Sequence, residues 1–244
     1  MTGLAVGALV LLAVAYPAAT ARSRSPWPAL RTASWLAGLG CAAAALTGPL
    51  ADAHGDLRAH MAGHLLAGMV APVLLVLAAP VTLTLRVLPV PAARRLARGL
   101  RSRPLRLLTD PFVATALNVA GLWAVYGTGL LGAMAHRPGV HLLVTAHVLL
   151  TGWLATAAVL AVDPAPHRRG VVARAVALAA GTAAHDVLAK RLYAEPPAGT
   201  LHAEAGAQLM YHGGTVVHVL VAALLWWGWY RSREAVRAVP AVAG

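Results

Sequence analysis

The length of its apolar runs limits this chain more than any other feature. Seven runs of about 20 residues can be drawn along the 244 residues, and about 20 apolar residues is the length a helix needs to cross a hydrocarbon core. They cover about Gly3–Ala19, Leu30–Leu50, Leu57–Leu85, Phe112–Leu131, His141–Val162, Val171–Leu192 and Ala207–Tyr230. The third contains Pro72 and Pro80, and the sixth ends in a crowd of His185, Asp186, Lys190 and Arg191. Within lipid only helices and closed barrels satisfy every backbone polar group, and runs of this length fit helices. The expected fold is therefore all-α: a polytopic membrane bundle of about seven transmembrane helices. Composition agrees, since 11% of residues are charged against about 25% in soluble domains. We find no internal repeat, linker or soluble segment, so residues 1–244 are read as a single integral membrane domain.

Charge orients the bundle. Basic loops gather on the cytoplasmic side of a membrane. Sixteen of the 20 basic residues fall in the loops after the first, third and fifth runs and in the tail. The opposite side keeps Arg58, Arg137, Lys190 and Arg191. This bias predicts a multi-pass plasma-membrane protein with its N-terminus outside and its C-terminus in the cytoplasm. The net charge of +12 is then a matter of topology and anionic lipid. Nucleic acid is not an expected partner, because basic residues are not interleaved with aromatic ones. The segment Pro89–Thr109 is arginine-rich with interspersed leucines, and reads either as an amphipathic helix on the cytoplasmic leaflet or as a solvated loop. The first run has no basic residues before it and is read as a span, not a cleavable signal. A single cysteine, Cys41, excludes an intramolecular disulfide framework and any CxxC metal motif.

Once the spans are oriented, ten of the eleven histidines lie on the side opposite the arginines. His54, His136 and His202 fall in loops there, and His167 alone is cytoplasmic. His60 and His64 open the third span at i and i+4, which stacks them on one helical face. Below them Ala67, Gly68 and Ala71 permit close helix approach. His141 and His147 open the fifth span, with His147 about 10 Å below the surface at 1.5 Å per residue. His185 closes the sixth. His212 and His218 occupy the outer half of the seventh, with Tyr211, Met210 and Gly214 nearby. Polar groups at such depth usually face a cavity or a partner.

These residues define a candidate metal or haem site. Its candidate metal ligands are His60, His64, His147, Met61, Met210, His212 and His218. His54, His136, His141 and His202 are better explained by solvent exposure or hydrogen bonding. His185 is open to either reading. Asp186 can orient an imidazole or pair with Lys190 at i+4. Imidazole with thioether, and with Cys41 in the outer half of its span, suits copper, Cu(I) above all. Three histidines also suit zinc, but HExxH and a carboxylate base are missing. No nucleophile–base pair, phosphate-binding glycine loop or paired carboxylate set is present, so an enzyme is not expected.

The stretch from His60-Met61-Ala62-Gly63-His64 through Met69-Val70-Ala71-Pro72 to Pro80-Val81-Thr82-Leu83 resembles the signature of the caa-type cytochrome c oxidase assembly factors, the CtaG family. Asp110-Pro111, Trp123, Tyr126, His141, His147, Gly152, Asp163-Pro164 and Gln208-Leu209-Met210-Tyr211 with Gly213-Gly214 extend the likeness over about residues 50 to 232. The resemblance implies a seven-helix, non-enzymatic membrane chaperone that helps load copper into the catalytic subunit of a haem–copper oxidase. It makes His60 and His64 the principal copper-handling residues, supported by His147 and the Met210 region. Thr215 and His218 stand where the family is expected to carry acidic residues, which leaves His218 as an extra ligand particular to this sequence. Membrane lipid is the other expected partner, and self-association is left open. Two other readings remain: a haem-binding redox protein, and a transporter of copper or a small solute using the proline-broken third span.

Overall fold

A computed structural model describes residues 2–52 and 55–237. Its helices are α1 (Thr2–Ala21), α2 (Ala29–Leu46), α3 (Pro49–Asp52), α4 (Leu57–Leu65), α5 (Ala71–Leu77), α6 (Pro80–Val87), α7 (Val90–Leu100), α8 (Arg103–Leu108), α9 (Pro111–Gly127), α10 (Leu130–His136), α11 (Pro138–Leu160), α12 (Val171–Ala194) and α13 (Ala203–Arg237). Among the described residues no strand forms; the one extended contact is an isolated bridge between Asp56 and Leu201. The all-helical expectation is met. Among the described residues six segments are long and apolar enough to cross a membrane, and α9 with α10 makes a seventh if that bent pair is one span. Seventeen residues give α9 a length of about 25 Å. It then stops at Gly127, and α10 leaves at 74°. His54 lies outside the described residues.

The third span is interrupted twice. Pro72 has no N–H to give the Gly68 carbonyl, and the helix answers with a π turn over Leu66–Val70 before α5 begins. At Pro80 the chain breaks outright. Ala79 adopts the left-handed region at φ 53°, and α6 starts anew on Pro80. The Asp163 carboxylate, from the loop after α11, accepts the Val81 and Thr82 N–H groups at 3.2 and 2.7 Å. It thereby caps α6 in trans. Tyr16 Oη donates to the Ala78 carbonyl at 2.6 Å, and Ser34 Oγ to that of Leu74 at 2.6 Å. In this way α1 and α2 are tied to the interrupted span.

Contacts between loops put the basic segments at one end of the bundle. Arg86 donates to Ser25 at 3.2 Å, and His167 Nε2 lies 3.2 Å from the Arg101 carbonyl. The Arg169 guanidinium reaches Asp110 at 2.8 Å. Arg174, counted among the basic residues that flank the fifth loop, sits in the first turn of α12 and is 2% exposed. Its guanidinium donates to the Val159 carbonyl at 2.8 Å, because α11 ends there and leaves its last carbonyls without helical partners. The segment between Val90 and Leu108 is helical with no buried residue, in line with the amphipathic-helix alternative. At the far end the Leu57 N–H donates to the Leu201 carbonyl at 2.9 Å, and the Leu201 N–H to that of Gly55 at 2.7 Å.

Asp110 also caps α9 through the Phe112 N–H at 3.0 Å. Burial works to raise its carboxyl, but the Arg169 and Phe112 hydrogen bonds and the Arg169 charge outweigh it and hold it below the ordinary carboxylate range. A lowered folded-state value contributes stability above the unfolded pKa and loses it as pH falls through the folded one. Asp110→Asn keeps the cap acceptor but removes the charge paired with Arg169, and is therefore expected to lower the thermal midpoint at pH 7 by an amount set by that exposed pair, on the order of 1 kcal/mol or less. The gap from the parent should narrow below about pH 4. Melting curves across that range in detergent check this; a gap independent of pH would count against it.

Among the described residues three apolar clusters form the interior, one of them around Tyr16, Ala78 and Leu83. Leu57, Met61, Leu122, Val148, Leu188, Leu192 and Met210 pack at the end away from the arginines. Val73, Val76, Val159, Leu160, Val221 and Leu225 pack at the other. On the third, sixth and seventh spans the deepest histidines fall between these two groups.

Candidate metal centre

His64 occupies the last turn of α4, just before the π turn. His185 and Asp186 project from α12, and His218 from α13. The His64 and His185 rings stack at 5.9 Å, and the His185 and His218 rings meet edge-on at 5.2 Å. One ligand atom each from His185, Asp186 and His218 lies within 4.8 Å of the others. His185 Nδ1 approaches Asp186 Oδ1 at 3.5 Å, the outer limit of a hydrogen bond. Apart from that approach, His64 Nε2, both His185 nitrogens, His218 Nδ1 and Asp186 Oδ1 are buried without a hydrogen-bond partner. Each such atom costs about 1–3 kcal/mol, and native interiors carry few of them. Here five converge on one place.

Glycines make the room. A Cβ on Gly214 would strike the His185 ring, and one on Gly68 would come within 2.7 Å of Val148 and 3.2 Å of His64 Nδ1. Gly152 faces the Gly68 carbonyl so closely that a Cβ there would overlap it. That carbonyl is the one Pro72 leaves without a helical donor, so backbone packs on backbone where the helix is interrupted. The rings of His64, His185 and His218 border an interior cavity of about 70 Å³, together with Asn118, Met69 and Thr182. That volume holds an ion and a few waters.

The other candidate residues are distributed around this centre. His60 Nε2 is hydrogen-bonded to the Tyr126 hydroxyl at 3.1 Å, and that hydroxyl donates to Met61 Sδ at 3.6 Å. Met61 and Met210 are fully buried in the apolar cluster, whereas Met69 borders the cavity. His147 is exposed on the side of the bundle, its ring against Gly121. His212 is exposed and meets the Tyr211 ring at 5.2 Å. His202 Nδ1 contacts Asp56 at 3.1 Å, and His136 is exposed. Cys41 is a half-buried thiol on α2. The Lys190 ammonium stands over the Tyr211 ring at 5.4 Å, so Asp186 is left facing His185. Of the candidate ligands, His64 and His218 are brought together. His185, which the sequence left open between ligand and hydrogen-bonding roles, and Asp186, which it allowed to orient an imidazole, complete the group.

A family model for the cytochrome c oxidase caa3 assembly factor matches residues 13–232. The chain belongs to that family. An assembly factor suggests a non-catalytic role in building the oxidase. Among curated proteins, the uncharacterized proteins Mb0105 of Mycobacterium bovis and MT0111 of Mycobacterium tuberculosis are each 40% identical over 172 residues. The match covers 65% of this chain and 26% of each relative. The chain thus spans about a quarter of the length of the curated relatives it matches. No solved structure matches it.

Proposed function

We propose that this caa3 assembly factor binds copper between His64, His185 and His218 and delivers it to the catalytic subunit of a haem–copper oxidase. The observation that carries the reading is the convergence of three imidazoles and one carboxylate, whose five buried polar atoms have no partner beyond the 3.5 Å approach of His185 to Asp186. Imidazole is a good copper ligand, and a ligated histidine commonly gives its other ring N–H to a carboxylate. Asp186 is placed to play that part for His185. The Met69 thioether beside the cavity offers a softer contact as the ion leaves. Copper here is cargo, so it must be held and then surrendered. Ligand exchange with an acceptor site does this without a nucleotide. Haem is disfavoured at this inner centre because a cavity of about 70 Å³ is far smaller than a porphyrin.

The basic loops argue for a cytoplasmic arginine end, which turns the histidine end toward the outside of the plasma membrane. His185→Ala and His218→Ala should each weaken copper binding by the purified protein in nanodiscs by at least about tenfold, in the range seen when metal-site residues are changed. A chromosomal His185→Ala strain should also assemble oxidase poor in copper. Zinc is titrated beside Cu(I) under reductant. Unchanged copper affinity in both variants, or tight binding of zinc alone, contradicts the proposal.

A further inference from the structure

A second chamber lies above the metal centre. At the end away from the arginine loops, a cavity of about 720 Å³ is bordered by Asp56, His60, Tyr126, His136 and His141. A narrow cavity of about 40 Å³ is bordered by residues of both chambers: His60, Tyr126 and His141 from the large one, His64 and Leu122 from the inner one. The rings form a file between them. His60 meets Tyr126 at 5.8 Å, Tyr126 meets His64 at 6.5 Å, and His64 stacks on His185 at 5.9 Å. Both imidazoles of the i, i+4 pair thus stand edge-on to one tyrosine ring.

We infer that His60 and His141 form a separate outer binding stop for the metal ion, and that the ion passes from it beneath Tyr126 to His64 and the inner centre. The inference rests on the inner centre being the metal site. Both histidines border the large chamber and the constriction, so an ion arriving from that end meets imidazole before it meets the apolar packing of Met61, Leu57 and Leu122. A charged ion is costly to move through such a layer without ligands, and imidazoles spaced along the way replace its water in stages. The Tyr126 hydroxyl, bonded to His60 Nε2 at 3.1 Å, holds the first ring against the constriction. Its release is part of each passage.

The test separates rate from affinity. Full-length protein in nanodiscs is mixed with the Cu(I)–bicinchoninate complex. Loss of the complex's colour gives the loading rate, and the final level gives the bound copper. His60→Ala and His141→Ala are expected to slow loading by about tenfold, the lower end of what a lost metal-site residue produces, and to leave the equilibrium copper unchanged. Tyr126→Phe keeps the ring and removes the hydroxyl, so it is expected to speed loading. Parent-like rates in all three variants, with copper still bound, overturn the passage and leave the inner centre standing. Loss of equilibrium copper in His60→Ala overturns the two-stop arrangement by making His60 part of one site. If the parent chain itself binds no copper, the inner centre and the passage fall together.

Discussion

Gly152→Ala is expected to be the most destabilising single-methyl substitution in the bundle. The added Cβ would overlap the Gly68 carbonyl and come within 3.1 Å of Pro72 Cγ. Neither neighbour is the free end of a flexible side chain. One is main chain at the π turn and the other a proline ring, so relief demands that α11 and the interrupted third span move apart. Overpacking of this kind costs about 1–3 kcal/mol, and backbone contact favours the upper end. At this chain length that corresponds to a fall in thermal midpoint of roughly 5–10 °C. Gly40→Ala serves as the control, because a Cβ there would have nothing within 4 Å. It should be neutral or stabilise by up to about 1 kcal/mol through helix propensity. Equal midpoints for the two variants would refute the close-packing argument.

Gly214→Ala is expected to have the opposite profile: a large loss of metal and a small loss of stability. The new methyl group would meet Cε1, Nδ1 and Nε2 of His185, the mobile end of a side chain and not a backbone. The ring can turn aside, but in doing so it leaves both His64 and His218. If the proposed centre is correct, copper affinity should fall by about 10–100-fold, while the midpoint drops by less than in Gly152→Ala. Both quantities are measurable on one sample, by chelator competition and by melting. Parent-like copper affinity in Gly214→Ala would separate His185 from the metal. Because the substitution removes none of the proposed ligand side chains, it also tests geometry apart from ligand chemistry.

The transmembrane plan is legible in the sequence because hydrocarbon thickness converts directly into run length. The runs beginning at Val171 and ending at Leu85 match helices within a few residues. Less legible is the bend after Gly127, where one expected run divides into α9 and α10. The site is only half legible. Periodicity gives the face of a residue on its own helix, which is why His60 and His64 pair in the sequence. It does not give the rotation of one helix against another. Tyr126, from a different span, meets both rings of that pair, and His185 stacks on His64 from a span far away in sequence. Arg174 shows the same limit: its place near a span boundary reads as a loop charge, whereas the carbonyls it caps belong to α11. Gly68, Gly121 and Gly214 carry a signal beyond close helix approach. At Gly121 and Gly214 a neighbouring imidazole fills the missing Cβ, and at Gly68 the Val148 side chain does so with the His64 ring beside it.

The π turn at Leu66–Val70 acts as a phase shifter. An α-helix advances about 100° per residue, and a π turn takes in one residue more than the α register allows. The turn therefore rotates everything above it relative to everything below by roughly that step. With it, His64 faces the imidazoles of α12 and α13 while Val73 and Val76 face the lower apolar cluster. A continuous α-helix of the same sequence could satisfy one of these halves but not both. The proline that provokes the turn thus lets a single span serve two interiors: a polar one in its upper half and a dry one in its lower half.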